Sequence, residues 1–250
     1  MPYPFGVDVA FSNSLDSSRV AALDFAIPRL GTLGYSGIAT ASYYNKHIIP
    51  DSAFLSNVAN VQAANKPCGC YFFSYAWDVT SGRFEADKVC DALDANNVSL
   101  EMPVFFDWER TGPGTQGSYE MVTAAGITVT PSLVQALTLA FMERVNQRGR
   151  TCGWYGNLDS LYSFYTQSWT SARMAENFYF WLAEWGGSFS VPCDVWQYDG
   201  DVQWNGIDAD LNYLIDERCV NGAIGHHFPA WLVAKLNQKK KNRKSFRKLW

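Results

Sequence analysis

Histidine is scarce in this chain of 250 residues; there are three, His47, His226 and His227. None flanks a cysteine at zinc spacing, and no two cysteines stand as C-x-x-C, so the patterns that build zinc sites are missing. The six cysteines, Cys68, Cys70, Cys90, Cys152, Cys193 and Cys219, read instead as buried free thiols. There is no glycine-rich phosphate loop and no Ser–His–acid set. No apolar run approaches a membrane span. The opening Met1-Pro-Tyr-Pro-Phe-Gly-Val-Asp8 has neither a basic n-region nor a long apolar h-region, so no secretory signal is expected.

Positive charge is also sparse over most of the chain. Residues 1–216 carry 11 Lys+Arg against 23 Asp+Glu, whereas residues 217–250 carry 9 against one. An acidic body argues against a nucleic-acid enzyme, whose groove should be basic. We therefore expect an acidic body over 1–216 and a basic tail over 217–250. In the tail, Pro229–Gln238 suits a short amphipathic helix. Residues 229–250 suit contact with an anionic wall polymer or a membrane, although a merely solvated segment fits equally well.

Aromatics are plentiful, at 16% of the residues. They could all be core, but flat rings with polar tips also suit a sugar-binding cleft. Short apolar strands alternate with helix-length segments. Strands are expected at 5–9, 35–43, 68–76, 102–109, 151–156, 178–185, 194–198 and 209–214. Helices are expected at 16–30, 51–65, 82–96 and 131–147, the last with Thr130 as cap and Pro131 in its first turn. Alternation of this kind argues for parallel pairing, and eight strands argue for closure. The expected fold is an irregular, small (β/α) TIM-like barrel with eight strands and fewer helices, because the last connections are too short for full helices.

The segment Met102-Pro-Val-Phe-Phe-Asp-Trp-Glu109 runs from a buried strand into two carboxylates. Residues two apart on a strand share a face. Asp107 and Glu109 therefore project together, with Trp108 facing away. Close carboxylates repel, so one holds its proton to higher pH. A protonated acid beside an ionised partner is what glycosidic cleavage needs. The same residues also suit an ordinary acidic strand end. Asp8, Tyr75, Tyr155, Glu184, Trp185, Gln197 and Asp210 fall near other strand ends, where such barrels carry their active sites.

The chain resembles the family-25 glycoside hydrolases, the muramidases found among bacteriophage endolysins and bacterial autolysins. The pieces that carry the resemblance run in order over residues 5–214: Gly6-Val-Asp-Val9, Gly69-Cys-Tyr-Phe-Phe73, Phe106-Asp-Trp-Glu109, Trp154-Tyr155, Trp181-Leu-Ala-Glu-Trp185, Trp196-Gln-Tyr198, Gly206-Ile207 and Asp210-Leu-Asn212. Three stretches depart from the family. Ala10-Phe-Ser-Asn-Ser14 replaces a Ser and then a Gln-Gly pair, Ser42-Tyr-Tyr-Asn45 stands where an acidic residue is frequent, and Phe72 replaces a His.

The resemblance implies cleavage of the β-1,4 bond between N-acetylmuramic acid and N-acetylglucosamine in peptidoglycan, with no cofactor or metal. It implies Glu109 as the acid, Asp107 as its partner, and Asp8 and Asp210 as further active-site acids. Tyr75, Tyr155, Trp185, Gln197 and Tyr198 are the candidate substrate contacts. An endolysin would stay in the host cytoplasm until lysis and then act on the wall. Two alternatives are a chitinase-like hydrolase and a non-catalytic glycan-binding barrel. The first is disfavoured because Val104, Phe105 and Phe106 stand where its further aspartates belong, and the second because the acid Glu109 is present.

Overall fold

The computed structural model describes residues 3–221. β1 (Phe5–Val9) is followed by the short α1 (Ser17–Ala21), capped by Asp16, and then by β2 (Phe25–Thr32). A 3-10 turn at Ala41–Asn45 leads to β3 (Ile49–Pro50). α2 (Phe54–Ala63), β4 (Cys70–Phe73), α3 (Val79–Ala95) and β5 (Val104–Asp107) continue the alternation. Then come α4 (Ser118–Ala124), α5 (Pro131–Gln147), β6 (Cys152–Asn157), α6 (Leu158–Ser163), α7 (Gln167–Ala175) and β7 (Tyr179–Ala183). β8 (Val195–Trp204) and β9 (Ile207–Leu214) have no helix between them, and α8 (Arg218–Asn221) ends the described chain.

The strands are ordered β1-β9-β8-β7-β6-β5-β4-β2, and β1 pairs back to β2, so eight strands close a barrel. β3 pairs antiparallel with the end of β2. The alternation of side chains sorts the apolar residues into two clusters. Phe25, Ile27, Tyr71, Phe105, Trp181, Val195 and Leu214 fill the interior. Their chain neighbours Ala26, Phe72, Phe106, Phe180 and Leu182 face the helices. Cys219 and Val220 on α8 join the interior cluster with Met102 and Tyr179 and stopper the barrel end opposite the strands' C-termini. Gly6 is obligatory there, because a Cβ would stand 2.6 Å from the Phe25 ring.

On the outside α3 crosses α5 at Gly82, where a Cβ would lie 2.7 Å from the Leu137 carbonyl oxygen. Ion pairs from Arg144 and Arg148 to Asp87, and from Arg150 to Asp94, flank that crossing. α5 has the expected span, with the Thr130 hydroxyl accepting from the Leu133 N–H at 3.2 Å.

Three expectations need correction. The helix expected over 16–30 is α1 followed by β2. The spacing of Val20, Leu23, Ile27 and Leu30 suits a helix, but Pro28 would remove a helical hydrogen bond, and Phe25-Ala-Ile27 is buried on both faces. The strand expected at 35–43 is a loop and a 3-10 turn, broken by positive φ at Gly34, Gly37 and Ala39. Finally, the pairing is not parallel throughout: β9 runs antiparallel to both β8 and β1. The turn Asn205-Gly206, with φ of 48° and 79°, joins Trp204 directly to Ile207 in a two-residue hairpin. The tail segment 229–250 and its expected helix lie outside the described residues.

Candidate active site

Asp107 is the last residue of β5 and Glu109 follows just past the strand end. Trp108 between them turns outward. It is fully buried, donates its Nε1–H to the Ala76 carbonyl at 2.9 Å and meets Phe164 edge-on. This anchor fixes the chain on either side, so both carboxylates turn toward the barrel mouth. The Glu109 N–H donates to Ser118 Oγ at 3.2 Å, and that hydroxyl donates to the Ser74 carbonyl at 2.7 Å. Asn157 Nδ2 reaches Glu109 Oε2 at 3.4 Å. Asp107 is buried, and its Oδ1 has no hydrogen-bond partner among the described residues.

Asp8 and Asp210 form a second pair, directly opposite each other in the antiparallel β1–β9 register. Gln197 Nε2 donates to Asp8 Oδ1 and to Asp210 Oδ2, both at 3.1 Å. Asn212 Nδ2 adds a bond to Asp8 Oδ1 at 2.7 Å and is itself oriented by Trp181 Nε1, 2.8 Å from its Oδ1. The Gln197 Oε1 accepts from Tyr155 at 3.3 Å and from Trp185 Nε1 at 3.2 Å. Gln197 thus ties two carboxylates to two aromatic side chains.

Four carboxyl groups in one low-dielectric mouth resist ionisation. Burial, then the charges of Asp210 and Glu120, push Glu109 up to about 7. Burial raises Asp107 well above the usual carboxylate range; the charge of Glu109 adds to the rise and Arg29 opposes it. Asp8 is raised by burial and by Asp210, against the pull of its Asn212 and Gln197 donors. Asp210 is raised mainly by burial. Glu109, raised to about 7, is poised to exchange a proton near neutral pH.

Residues 38–207 match glycosyl hydrolases family 25. The chain belongs to that family. Its fold is similar to that of the CTP1L endolysin, at 17% identity over 88% of this chain and 70% of that one, with a TM-score of 0.63. It is similar to the bacterial lysozyme from Streptomyces coelicolor, at 22% identity over 89% and 98%, with a TM-score of 0.63. It is also similar to the modular autolysin LytC from Streptococcus pneumoniae, solved with a synthetic peptidoglycan ligand, at 16% identity and a TM-score of 0.60. That likeness covers 84% of this chain but 46% of LytC, so the chain spans less than half of the autolysin. No curated protein gives a match.

The structure brings Asp8, Asp107, Glu109, Tyr155, Trp185, Gln197 and Asp210 of this family-25 chain to one barrel mouth. Tyr75 borders it. Its hydroxyl donates to the Gln116 carbonyl at 2.8 Å, and its ring meets Tyr35 and Phe73. Tyr198 is not brought there; it stacks on Tyr213 at 4.3 Å and packs with Trp196 in the outer layer. Glu184 accepts from Ser190 and stands apart from the four acids. Three mouth residues escape the sequence reading. Asn157 lies two residues beyond Tyr155 on the same strand face, and that spacing is its signal. Asn212 sits within the quoted Asp210-Leu-Asn212 motif. Arg29, the basic residue opposing Asp107, lies in the stretch that reads as a helix.

Proposed function

We propose that the protein is a muramidase, hydrolysing the β-1,4 bond between N-acetylmuramic acid and N-acetylglucosamine in peptidoglycan. The observation that carries this reading is the pairing of Glu109, poised near pH 7, with the buried Asp107, whose Oδ1 has no partner among the described residues. Family membership makes the substrate a glycan, and the fold shared with an endolysin and with an autolysin solved on a peptidoglycan ligand supports this glycan in particular.

In this reading protonated Glu109 donates to the glycosidic oxygen as the bond from the muramic C1 breaks. Positive charge grows at C1. Asp107 meets it in one of two ways: it accepts the N–H of the 2-acetamido group while that group's carbonyl oxygen attacks C1, or it faces C1 directly as a carboxylate. Water then attacks C1, losing its proton to Glu109, and muramic acid becomes the new reducing end. Asp8, Asp210 and Gln197 set the field around the pair, and Tyr75, Tyr155 and Trp185 border the sugar path. An endolysin role, with storage in the host cytoplasm until lysis, is part of the same proposal. So is contact of residues 229–250 with anionic wall polymer or membrane.

The test is a wall digest reduced with borohydride and analysed by mass spectrometry. Reduced muramic acid at the new ends is expected. Reduced glucosamine at those ends, or peptides released from intact glycan, would sink the assignment.

A further inference from the structure

We propose that Phe11 is a stacking platform for a pyranose ring of the glycan, set at the rim of the carboxylate cluster; this rests on the glycan-hydrolase reading above. Phe11 follows β1 at the end that carries Asp8. Its side chain is 67% exposed, the second most exposed of the large apolar residues described. Burial therefore does little to hold it there.

Its backbone is held against its own preference. The Asn13 N–H bonds the Ala10 carbonyl at 3.2 Å, closing a turn in which Phe11 is the first central residue with φ of 59°. Turns with positive φ at that position favour Gly, Asn or Asp, and a bulky aromatic there is strained. The surroundings clamp it in place. The Phe11 N–H donates to the Asp51 carboxylate, and its carbonyl accepts from the Ala53 N–H at 3.3 Å. Strain that is over-determined by its surroundings clusters at ligand sites.

The same clamp aims the ring. Arg29 grips Asp51 through Nε to Oδ2 and Nη2 to Oδ1, each at 2.9 Å. Its guanidinium carbon then lies 4.1 Å from the Phe11 ring centroid. Arg29 is also the cation whose charge reaches Asp107. One guanidinium thus touches the ring and bears electrostatically on Asp107. It covers one face of the ring, and the exposure of the side chain leaves the other for a ligand. A pyranose presents a flat face of C–H groups edged by hydroxyls, which suits an aromatic face with water at its rim. A glycine at this position would suit the turn better and forfeit only the ring.

The test uses soluble glycan strands stripped of stem peptides, titrated calorimetrically into the Glu109→Gln protein, so that binding is read apart from cleavage. Adding Phe11→Ala or Phe11→Gly is expected to weaken binding by about tenfold, the scale of one aromatic contact. Adding Phe11→Trp or Phe11→Tyr should keep it within about twofold. Phe11→Gly should also match or exceed its parent in Tm, because it relieves the positive φ. In the active enzyme Phe11→Ala should raise KM while kcat stays near its starting value.

Unchanged affinity in Phe11→Ala overturns the platform. Equal losses in the Trp and Tyr variants would show that the phenylalanine only props Arg29, and a fall in Tm with Phe11→Gly would show a packing role. Either result overturns it, as does an effect seen only on strands carrying peptides, or no strand binding by the Glu109→Gln parent. If strands bind through Phe11 but the active enzyme yields no muramic reducing ends, the muramidase reading fails and the platform stands.

Discussion

At the scale of residues, the site is a problem in proton placement. Among the described residues Glu109 has one weak side-chain donor, Asn157 at 3.4 Å, whereas Asp8 has two, Gln197 and Asn212. The difference suits Glu109 to give up and retake a proton and Asp8 to stay fixed. Glu109→Gln is expected to lower kcat by about 100- to 10,000-fold with an unchanged circular dichroism spectrum, because the amide cannot protonate the leaving oxygen. Asp107→Asn should also cost heavily, and Asp8→Asn and Asp210→Asn less; normal turnover in Glu109→Gln would place the acid elsewhere. The pH dependence follows from the sign of the Glu109 shift. Its carboxyl is raised to about 7, and its protonated form is the donor, so the rate should fall as pH rises through that value. A kcat/KM profile flat from pH 6 to pH 9 would contradict this role.

At the scale of elements, the β8–β9 hairpin does most to complete the site. It delivers Gln197, Asp210 and Asn212 to the mouth from two adjacent strands. Its direction is decisive: because β9 runs antiparallel to β1, Asp210 pairs with Asp8 near the open end, while Leu214 reaches the interior cluster near the closed end. The turn that reverses the chain depends on Gly206, at φ of 79°. No heavy atom closer than the 3.9 Å contact with Arg19 would meet a new Cβ there, so the cost of Gly206→Ala is conformational. We expect it to lower unfolding free energy by about 1–2 kcal/mol in urea titrations, with a loss of activity on top. A variant as stable as its parent would show that the turn readjusts.

At the scale of the whole molecule, charge is unevenly handled. Glu85 on α3 is fully buried, accepting from the Tyr43 hydroxyl at 2.5 Å, from the Ser74 hydroxyl and from the Tyr75 N–H just past β4, and burial pushes it up to about 7. It joins Glu109, Asp8, Asp107 and Asp210 as carboxyls whose folded values exceed their unfolded ones. Such groups bind more protons folded than unfolded. Their contribution is therefore full below the unfolded range near pH 4 and is lost as pH rises through the folded values. The urea midpoint is expected to fall from pH 5 to pH 8, with Glu85 alone accounting for something on the order of 3 kcal/mol. A midpoint that rises over this window would contradict the shifts. The basic tail is the other extreme. Deleting residues 229–250 should weaken binding to anionic vesicles or whole cells while leaving the rate on soluble glycan unchanged. The gap should close as salt screens charge beyond about 8 Å.

What the sequence by itself determined is local and periodic. The run Val104-Phe-Phe-Asp107 announces a buried strand ending in acid, Thr130-Pro131 announces the start of α5, and the recurrence of short apolar runs between helix-length segments announces a closed barrel, because each depends only on near neighbours or on alternation. The second strand was hidden because Val20, Leu23, Ile27 and Leu30 satisfy the helical period by coincidence, and Arg29 was hidden with it. The Asn205-Gly206 turn was written in the chain, yet the alternation of strands with helices pointed to parallel pairing. Only the tertiary structure decided that Asp210 faces Asp8, that Gln197 bridges them and that Tyr198 turns outward. Those facts depend on strand direction and on a bulge in β8 between Gln197 and Asp199. Protonation belongs to the same category. The values near 7 at Glu109 and Glu85 arise from burial by residues far away in the chain, and no spacing within a segment encodes how much water a carboxyl group loses when the barrel closes.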